Sequence, residues 1–217
     1  MNKNTIIISV VSVLATFFLL FGVYKLISQP AQTDFSQVKQ LKADDHIKWS
    51  PDKKNLLIEY SDLQCPACQN AHSYFKNIEA SGSPDINITK KVTFVFRHFP
   101  LTQIHDKAIV AAYAAEAASK QGKFWEMTDT LYANQATWEK SNNPQAEYFD
   151  KYAKDLKLNV EKFNTDMNSN EVKQRVDEDV QAGNQMGIDS TPTFFLNGQK
   201  LDNFNSYDDM KKMLKGL

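Results

Sequence analysis

The hydrophobic pattern divides the chain into one long apolar segment near the start and a larger region of short apolar runs. Residues 5–24 carry no charged side chain and are mostly Ile, Val, Leu and Phe. About 20 apolar residues in a helix span the ~30 Å hydrocarbon core of a bilayer, whereas the apolar part of a cleaved signal peptide has only about 7–15. We therefore predict an uncleaved transmembrane helix over residues 5–26 after a short tail over residues 1–4, with a cleaved signal as the alternative.

The first short apolar runs predict a strand–helix–strand unit. Residues 56–60 form a run of strand length, and the apolar positions between Ala67 and Ile78 recur at helical spacing. Residues 92–97 are rich in β-branched and aromatic side chains, which is typical of a second strand. This order predicts a parallel, right-handed crossover. The polar segment over residues 27–50 is predicted to be a tether.

Helical periodicity then dominates until the chain returns to β-structure. Apolar stripes in this region predict core packing, with Asn159 placed to cap one helix and Gly187 to end the last. Short apolar runs flank Asn197-Gly198, which is the strongest short hairpin signal, and a final helix is expected from Ser206 to Leu214. We therefore predict an α/β protein whose elements follow the order β-α-β, helical block, β-β-α.

Composition narrows the function classes. The 25 Lys and Arg residues balance 26 Asp and Glu, for a net charge of −1, so a nucleic-acid-binding surface is not expected. The chain has two cysteines, Cys65 and Cys68, too few for a scaffold of structural disulfides. No second C-x-x-C motif is present, and the four histidines lack the spacing of metal ligands. We predict no metal and interpret the cysteines as a redox pair.

The position of the cysteine pair predicts different roles for its two thiols. Cys65 follows a strand and precedes a helix whose first position is Pro66, where proline is favoured. The sulfur of a cysteine at this N-cap faces unpaired N–H groups and the positive end of the helix dipole, which can lower a thiol pKa from about 8.5 to roughly 3.5–7.5. Cys68 lies one turn later, beneath Cys65 and within disulfide reach. Cys65 is expected to exchange with substrate and Cys68 to resolve.

Several longer stretches of sequence support one interpretation together. They are residues 57–68 around the cysteine pair, 94–101 (FVFRHFPL), 114–118 (AAEAA), 121–127 (QGKFWEM) and 190–198 (STPTFFLNG). In this order they resemble the DsbA-like thiol–disulfide oxidoreductases of the thioredoxin superfamily, which include membrane-anchored bacterial members. The resemblance implies a thioredoxin domain over residues 51–102 and 187–217, with a helical domain inserted over 103–186. Arg97, His98 and His105 in these motifs are assigned structural roles.

The resemblance also implies a substrate-binding surface around the cysteines. It implies that the Thr191-Pro192 peptide bond is cis and holds substrate backbone beside Cys65, the alternative being an ordinary trans proline at the start of a strand. Pro66 and Ala67, between the two cysteines, are the other expected substrate contacts.

An acidic residue completes the expected site. Glu59 corresponds to a carboxyl group that the family places beneath the buried cysteine, where burial raises its pKa and lets it exchange a proton with Cys68. The alternative is an exposed glutamate that faces the edge of the sheet. The dipeptide Pro66-Ala67 lacks the histidine of strong oxidants and also differs from the Gly-Pro of reducing thioredoxins, so the oxidising strength is open.

These features predict a membrane-bound disulfide oxidase whose catalytic domain lies outside the cytoplasm. Its expected substrates are unfolded or folding exported proteins with free thiols, and the resemblance implies reoxidation by a quinone-linked membrane oxidase. No cofactor beyond the Cys65–Cys68 pair and no partner copy are expected. The alternatives are a reductase or isomerase that a membrane partner keeps reduced, and a peptide-binding module whose thiols are incidental.

Overall fold

Five strands form one mixed sheet in the computed structural model, which describes residues 2–27, 35–52, 54–80, 86–202 and 206–217. The strands lie in the order β1-β3-β2-β4-β5, with β2 parallel to β3 and the other neighbours antiparallel. Their bounds are β1 His46–Trp49, β2 Asn55–Ser61, β3 Val92–His98, β4 Thr193–Leu196 and β5 Gln199–Lys200. The parallel β2–β3 pair, with α2 and α3 between its strands, confirms that the connection is a parallel crossover, and its right hand stays a prediction.

The helices follow the predicted order along the chain. They are α1 Lys3–Ile27, α2 Pro66–Ala80, α3 Ile86–Lys91, α4 Ala108–Ser119, α5 Phe124–Ala133, α6 Gln135–Trp138, α7 Asp150–Asp155, α8 Val160–Asn168, α9 Asn170–Gln185 and α10 Tyr207–Lys215, with a 3-10 turn at Ser36–Val38 and a π-turn at Gln145–Phe149. Helices α4 to α9 lie between β3 and β4, as expected for the helical block. Asn159 caps α8 by accepting a hydrogen bond from the Lys162 N–H, and Gly187 has φ +70° after α9, so both predicted helix ends are confirmed.

The chain divides into two units, Met1–Thr33 and Asp34–Leu217. Helix α1 belongs to the first unit and coincides with the predicted anchor over residues 5–26. Among the described residues, no helix has the length and apolarity that crossing a membrane requires. The side chains of residues 3–6, 8–10, 26 and 27 lie outside the described set. The anchor therefore stays a prediction.

The predicted tether over residues 27–50 is wrong in its later part, because residues from 36 onward fold against the sheet. Strand β1 pairs with β3 along its whole length, and Val38 is fully buried. Arg97 explains why this polar segment is ordered: its guanidinium donates hydrogen bonds to the Asp45 carboxylate (2.9 Å) and to the Gln37 carbonyl (2.8 Å). Residues 28–34 of the predicted tether lie outside the described residues.

The apolar core has three parts, and the cysteines belong to the part under the helical block. Cys65, Cys68 and Leu63 pack with buried residues of α4, α5 and the following helices. A second cluster covers the face of the sheet that meets α2, α3 and α10, and a third packs around Tyr60 and Phe195. Asp34–Leu217 is one compact unit, so the division into a thioredoxin domain and an inserted domain stays a prediction. The cysteine pair thus lies where the sheet meets the helices.

Candidate active site

A hydrogen-bonded loop between β2 and α2 positions the cysteines, and Asp62 organises it. One carboxylate oxygen of Asp62 accepts a hydrogen bond from the Gln64 N–H (2.7 Å), and its carbonyl accepts one from the Cys65 N–H (3.1 Å). The other carboxylate oxygen accepts the Leu101 N–H and lies 2.8 Å from His105 Nδ1. These bonds join the loop to the segment after β3. The sequence assigned His105 a structural role but did not identify Asp62.

Cys65 has the low pKa that its position predicts. Both cysteines are free thiols, and Cys65 is 7 % exposed. A hydrogen bond from the Cys68 thiol is the largest cause that lowers the pKa of Cys65 to about 5, and the backbone N–H groups of Cys68 and Ala67 also lower it. The same sulfur lies 3.4 Å from the Thr191 carbonyl oxygen. Cys65 is therefore a thiolate at neutral pH.

The pKa of Cys68 is shifted in the opposite direction. The residue has no exposed surface, and burial raises its pKa well above the ordinary value. The hydrogen bond to Cys65 and the negative charges of Glu59 and Cys65 raise it further. The Asp62 N–H approaches the Cys68 sulfur at 3.4 Å. The reduced pair therefore holds a slightly exposed thiolate at Cys65 and a fully enclosed thiol at Cys68, which is the asymmetry needed for exchange at one sulfur and resolution at the other.

The predicted substrate contacts surround Cys65. The Thr191-Pro192 peptide bond is cis, as the resemblance implies, and both residues are half-buried. Pro66 and Ala67 are exposed at the start of α2. The Tyr207 hydroxyl on α10 donates a hydrogen bond to the Ala67 carbonyl (3.2 Å), a contact that the sequence did not reveal. The cis-proline loop and the start of α2 thus frame the reactive sulfur.

Glu59 is buried in the sheet without a cation. It is 3 % exposed on β2, which lies between β3 and β4, so the alternative of an exposed edge glutamate is wrong. Burial raises the pKa of Glu59 to about 8, although a hydrogen bond from the Ser61 hydroxyl (2.7 Å) opposes the rise. No cationic side chain among the described residues forms an ion pair with it. Glu59 therefore holds a proton at neutral pH.

Ser61 and Tyr132 connect Glu59 to the region of Cys68. The Ser61 hydroxyl lies 2.9 Å from the Tyr132 hydroxyl and also hydrogen-bonds toward Cys68, where it lowers the pKa. Either hydroxyl can donate in the contact between Ser61 and Tyr132, and the Tyr132 hydroxyl also donates a hydrogen bond to the Asp62 carbonyl (3.4 Å). Burial raises the pKa of Tyr132 well above its usual value, so it remains a phenol.

Sequence reasoning missed both residues of this chain of hydroxyls. The alternation of β2 places Ser61 on the same face as Glu59, a signal that was available. Tyr132 lies 71 residues after Ser61, and no local pattern joins them.

Comparison with known proteins agrees with this geometry. The family described as thioredoxin matches residues 43–216. Among solved structures, α-DsbA1 from Wolbachia pipientis is 22 % identical with a TM-score of 0.69, covering 84 % of this chain and 96 % of that one. BdbD from Bacillus subtilis in its oxidised form is 22 % identical with a TM-score of 0.62, covering 79 % and 91 %.

A thioredoxin-like oxidoreductase from Silicibacter pomeroyi DSS-3 is 19 % identical with a TM-score of 0.65, covering 87 % of this chain and 97 % of that one. Among curated relatives, the Na(+)/H(+) antiporter NhaA 1 of Mycobacterium sp. (strain KMS) is 34 % identical over 184 residues, which are 83 % of this chain but only 28 % of that protein. The transport activity in that name is therefore not carried over. The matched family and the shared fold lead to one conclusion: the chain belongs to the thioredoxin family and has a DsbA-like fold.

Proposed function

We propose that this protein is a thiol–disulfide oxidoreductase that forms disulfides in exported proteins. The two cysteines differ in pKa and burial, and the proposal rests on this difference. Cys65 has its pKa lowered to about 5 and lies beside the cis-proline loop, whereas Cys68 is fully buried with a raised pKa. A pair of incidental structural thiols has no need of this difference.

The exchange proceeds in two substitutions at sulfur. A thiolate of the client attacks the Cys65 sulfur of the Cys65–Cys68 disulfide, a client–Cys65 bond forms, and Cys68 leaves as a thiolate. A second client thiolate then attacks the client sulfur of this mixed disulfide, and Cys65 leaves. The client is oxidised by two electrons and the pair is reduced by two. The low pKa of Cys65 makes it a good leaving group.

Glu59 supplies the proton that Cys68 needs when it leaves. The pKa of Cys68 lies well above neutral, so the departing thiolate takes up a proton, and Glu59 with its pKa near 8 holds one. The Ser61 hydroxyl lies between these groups through its contacts with both. In reoxidation the same carboxylate takes the proton back, so Glu59 is a general acid and base for the buried sulfur.

The stabilised thiolate favours oxidation of clients. A thiol with pKa about 5 instead of 8.5 stabilises the reduced pair at pH 7 by roughly 2–3 kcal/mol, which corresponds to about 40–60 mV toward a stronger oxidant. The proposal includes attachment through residues 5–26, a catalytic domain outside the cytoplasm and reoxidation by a quinone-linked membrane oxidase. Unfolded or folding exported proteins with free thiols are the proposed clients, and the protein itself is proposed to act as a monomer.

Variants of the two cysteines test the exchange reaction. Oxidation of a reduced, unfolded client with two cysteines should be lost in Cys65→Ser. Reduced Cys68→Ser, given a client that already carries a disulfide, should accumulate a mixed disulfide. The Cys65 thiolate attacks the client disulfide, one client sulfur leaves as a thiolate, and no Cys68 thiol is present to release the adduct. Thermal unfolding of both variants checks that they fold. Client oxidation by Cys65→Ser at the wild-type rate, or no adduct with Cys68→Ser, would support the peptide-binding alternative and contradict the proposal.

The reduction potential tests the direction of electron flow. The Cys65–Cys68 pair is equilibrated with glutathione buffers, and the fraction of disulfide is measured. A potential near about −120 mV, as in DsbA, supports the oxidase, whereas one near about −270 mV, as in thioredoxin, supports the reductase and overturns this part of the proposal.

A further inference from the structure

Three potential metal ligands from three elements meet away from the cysteine pair. His46 lies on β1, His98 ends β3 and Glu116 lies in α4. His46 Nε2 is 2.7 Å and His98 Nε2 is 3.0 Å from the same Glu116 carboxylate oxygen. Within the part of the chain that the structure describes, this is the one group of three or more His, Cys, Asp or Glu side chains placed to share an ion, and its ligand atoms lie within 4.8 Å of one another.

Packing holds these side chains in place. His98 and Glu116 are buried, and His46 is half-buried. The Phe124 ring stacks on the His46 ring with centroids 3.4 Å apart and meets His98 edge-on at 5.8 Å. An apolar shell around ring nitrogens and a carboxylate is typical of metal sites, because it orients the ligands before the ion arrives.

A cavity of about 510 Å³ gives access to the cluster, because His46 and Glu116 both line it. Apart from Asp45, which is paired with Arg97, the other charged groups in its lining are acidic more often than basic: Asp44, Glu171 and Glu178 against Lys120 and Arg175. This excess of negative charge favours entry of a cation. The cavity also leaves room for water as a further ligand.

We propose that His46, His98 and Glu116 form a site for a divalent transition-metal ion of the zinc class, with the remaining coordination position open to the cavity. Two imidazoles and one carboxylate are a donor set that suits zinc. Ligands at about 2.0–2.1 Å from zinc in a tetrahedron are about 3.3–3.4 Å apart. The observed contacts of 2.7 and 3.0 Å therefore need to open by about 0.6–0.7 and 0.3–0.4 Å, while the two ring nitrogens, which lie within 4.8 Å of each other, settle at the same spacing.

The ion would link β1 to β3 and α4, and so stabilise the packing of the edge strand β1. The sequence predicted no metal, because the three residues are 52 and 18 positions apart and only the pairing of β1 with β3 brings the histidines together. The site does not include either cysteine and does not depend on the proposed redox activity.

Metal binding to the oxidised full-length protein tests this site, since the disulfide removes the thiols as competing ligands. The chain is stripped with a chelator and titrated with Co²⁺, followed by visible absorption, and with Zn²⁺, followed by calorimetry. We expect one ion per chain and a Co²⁺ spectrum of low coordination number without sulfur ligands. In His46→Gln and Glu116→Gln the affinity should fall on the order of 100-fold or more, beyond what loss of an outer partner costs.

The matched control is His72→Gln, which removes a histidine that also pairs with a carboxylate, Asp129 at 2.9 Å, but has no second histidine beside it. Its affinity should equal that of the wild type.

Thermal unfolding gives a readout that does not depend on the folding of variants: saturating Zn²⁺ should raise the Tm of the wild-type protein. No binding at one ion per chain, unchanged affinity in His46→Gln, or an unchanged Tm would overturn the proposal and leave a hydrogen-bonded cluster only.

Discussion

Glu59 and Asp45 are both buried carboxyl groups next to the central sheet, but their surroundings differ. The Arg97 guanidinium binds both oxygens of Asp45 through Nε and Nη2, each at 2.9 Å, and neither side chain is exposed. Glu59 accepts one hydrogen bond from Ser61 and has burial as the main influence on its pKa, which rises to about 8. One carboxyl group is neutralised by a cation and the other by a proton.

This difference suits Asp45 to a structural role and Glu59 to proton transfer. A buried bidentate ion pair is rigid and gives up neither charge, so Arg97 and Asp45 hold the segment before β1 against the sheet. A buried carboxyl group without a cation costs stability whenever it ionises, but it can release and recover a proton near neutral pH. The active site therefore contains a buried carboxyl group without a cation, Glu59, whereas the buried carboxyl group of Asp45 is paired with Arg97.

The largest expected effect comes from leaving Asp45 unpaired. Arg97→Met should lower the free energy of unfolding by about 3–5 kcal/mol, because a buried carboxylate loses its cation. Denaturant unfolding measures the loss, and the double variant with Asp45→Asn should recover part of it. Lys151→Ala, in the exposed pair with Asp155, is the control and should cost less than about 0.5 kcal/mol. If Arg97→Met is as stable as Lys151→Ala, then Asp45 does not depend on Arg97 and the proposed contrast with Glu59 is wrong.

Glu59→Gln should raise the free energy of unfolding, whereas Arg97→Met should lower it. The pKa of Glu59 rises from 4.5 to about 8 on folding, so its contribution to stability is complete below about pH 4.5 and is lost as the pH rises to about 8. Glutamine has no such penalty, and the variant should be more stable by about 3 kcal/mol at pH 7 and equal to the wild type near pH 4. Unfolding curves of the reduced proteins across this range measure the difference.

The same variant should oxidise clients more slowly, because Cys68 loses its proton donor. A gain in stability that does not vary with pH would show that Glu59 does not hold the proton. Unchanged client oxidation would remove its proposed part in the exchange.

Removing the Cys68 thiol should raise the pKa of Cys65 by about 1–2 units, since a hydrogen bond to a charged group contributes roughly 1.5–3 kcal/mol. Cys68→Ala tests this through the pH dependence of iodoacetamide alkylation at Cys65, whose midpoint in wild type is expected near pH 5. Cys68→Ser keeps a donor group and should show a smaller rise. Equal midpoints in all three proteins would assign the low pKa to the helix N-terminus alone.

The smallest effect is expected from Tyr132→Phe, which removes the hydroxyl that is hydrogen-bonded to Ser61. Loss of this hydrogen bond should destabilise the reduced protein by about 1 kcal/mol. In proteins that carry Tyr132→Phe, the gain in stability from Glu59→Gln should also appear at a different pH. The reason is that the chain of hydrogen bonds from Tyr132 through Ser61 to Glu59 has lost its first hydroxyl. Tyr113→Phe, half-buried on α4, is the control. Identical pH profiles for both tyrosine variants would show that Tyr132 has only a packing role.

Local chemistry accounts for what the sequence predicted well. Cys65, Pro66 and Cys68 lie within four consecutive positions, so a helix start brings the two sulfurs together and directs backbone N–H groups at the first of them. The Asn159 cap and the Asn197-Gly198 hairpin are equally local, with φ +52° and +81° in the hairpin turn. The division of roles between the two thiols, exchange at Cys65 and resolution at Cys68, was therefore predictable from a short stretch of chain.

The sequence by itself determined the reactive pair, the order of the elements from β2 onward and the position of Glu59 on an apolar strand. Only the tertiary structure decided that Tyr132 meets Ser61, that residues 46–49 add an edge strand, and that His46 and His98 share Glu116. The reason is that hydrophobic periodicity shows which face of an element is buried but not which distant element covers it. Polar side chains acquire their partners, and hence their charge and pKa, only when those elements pack.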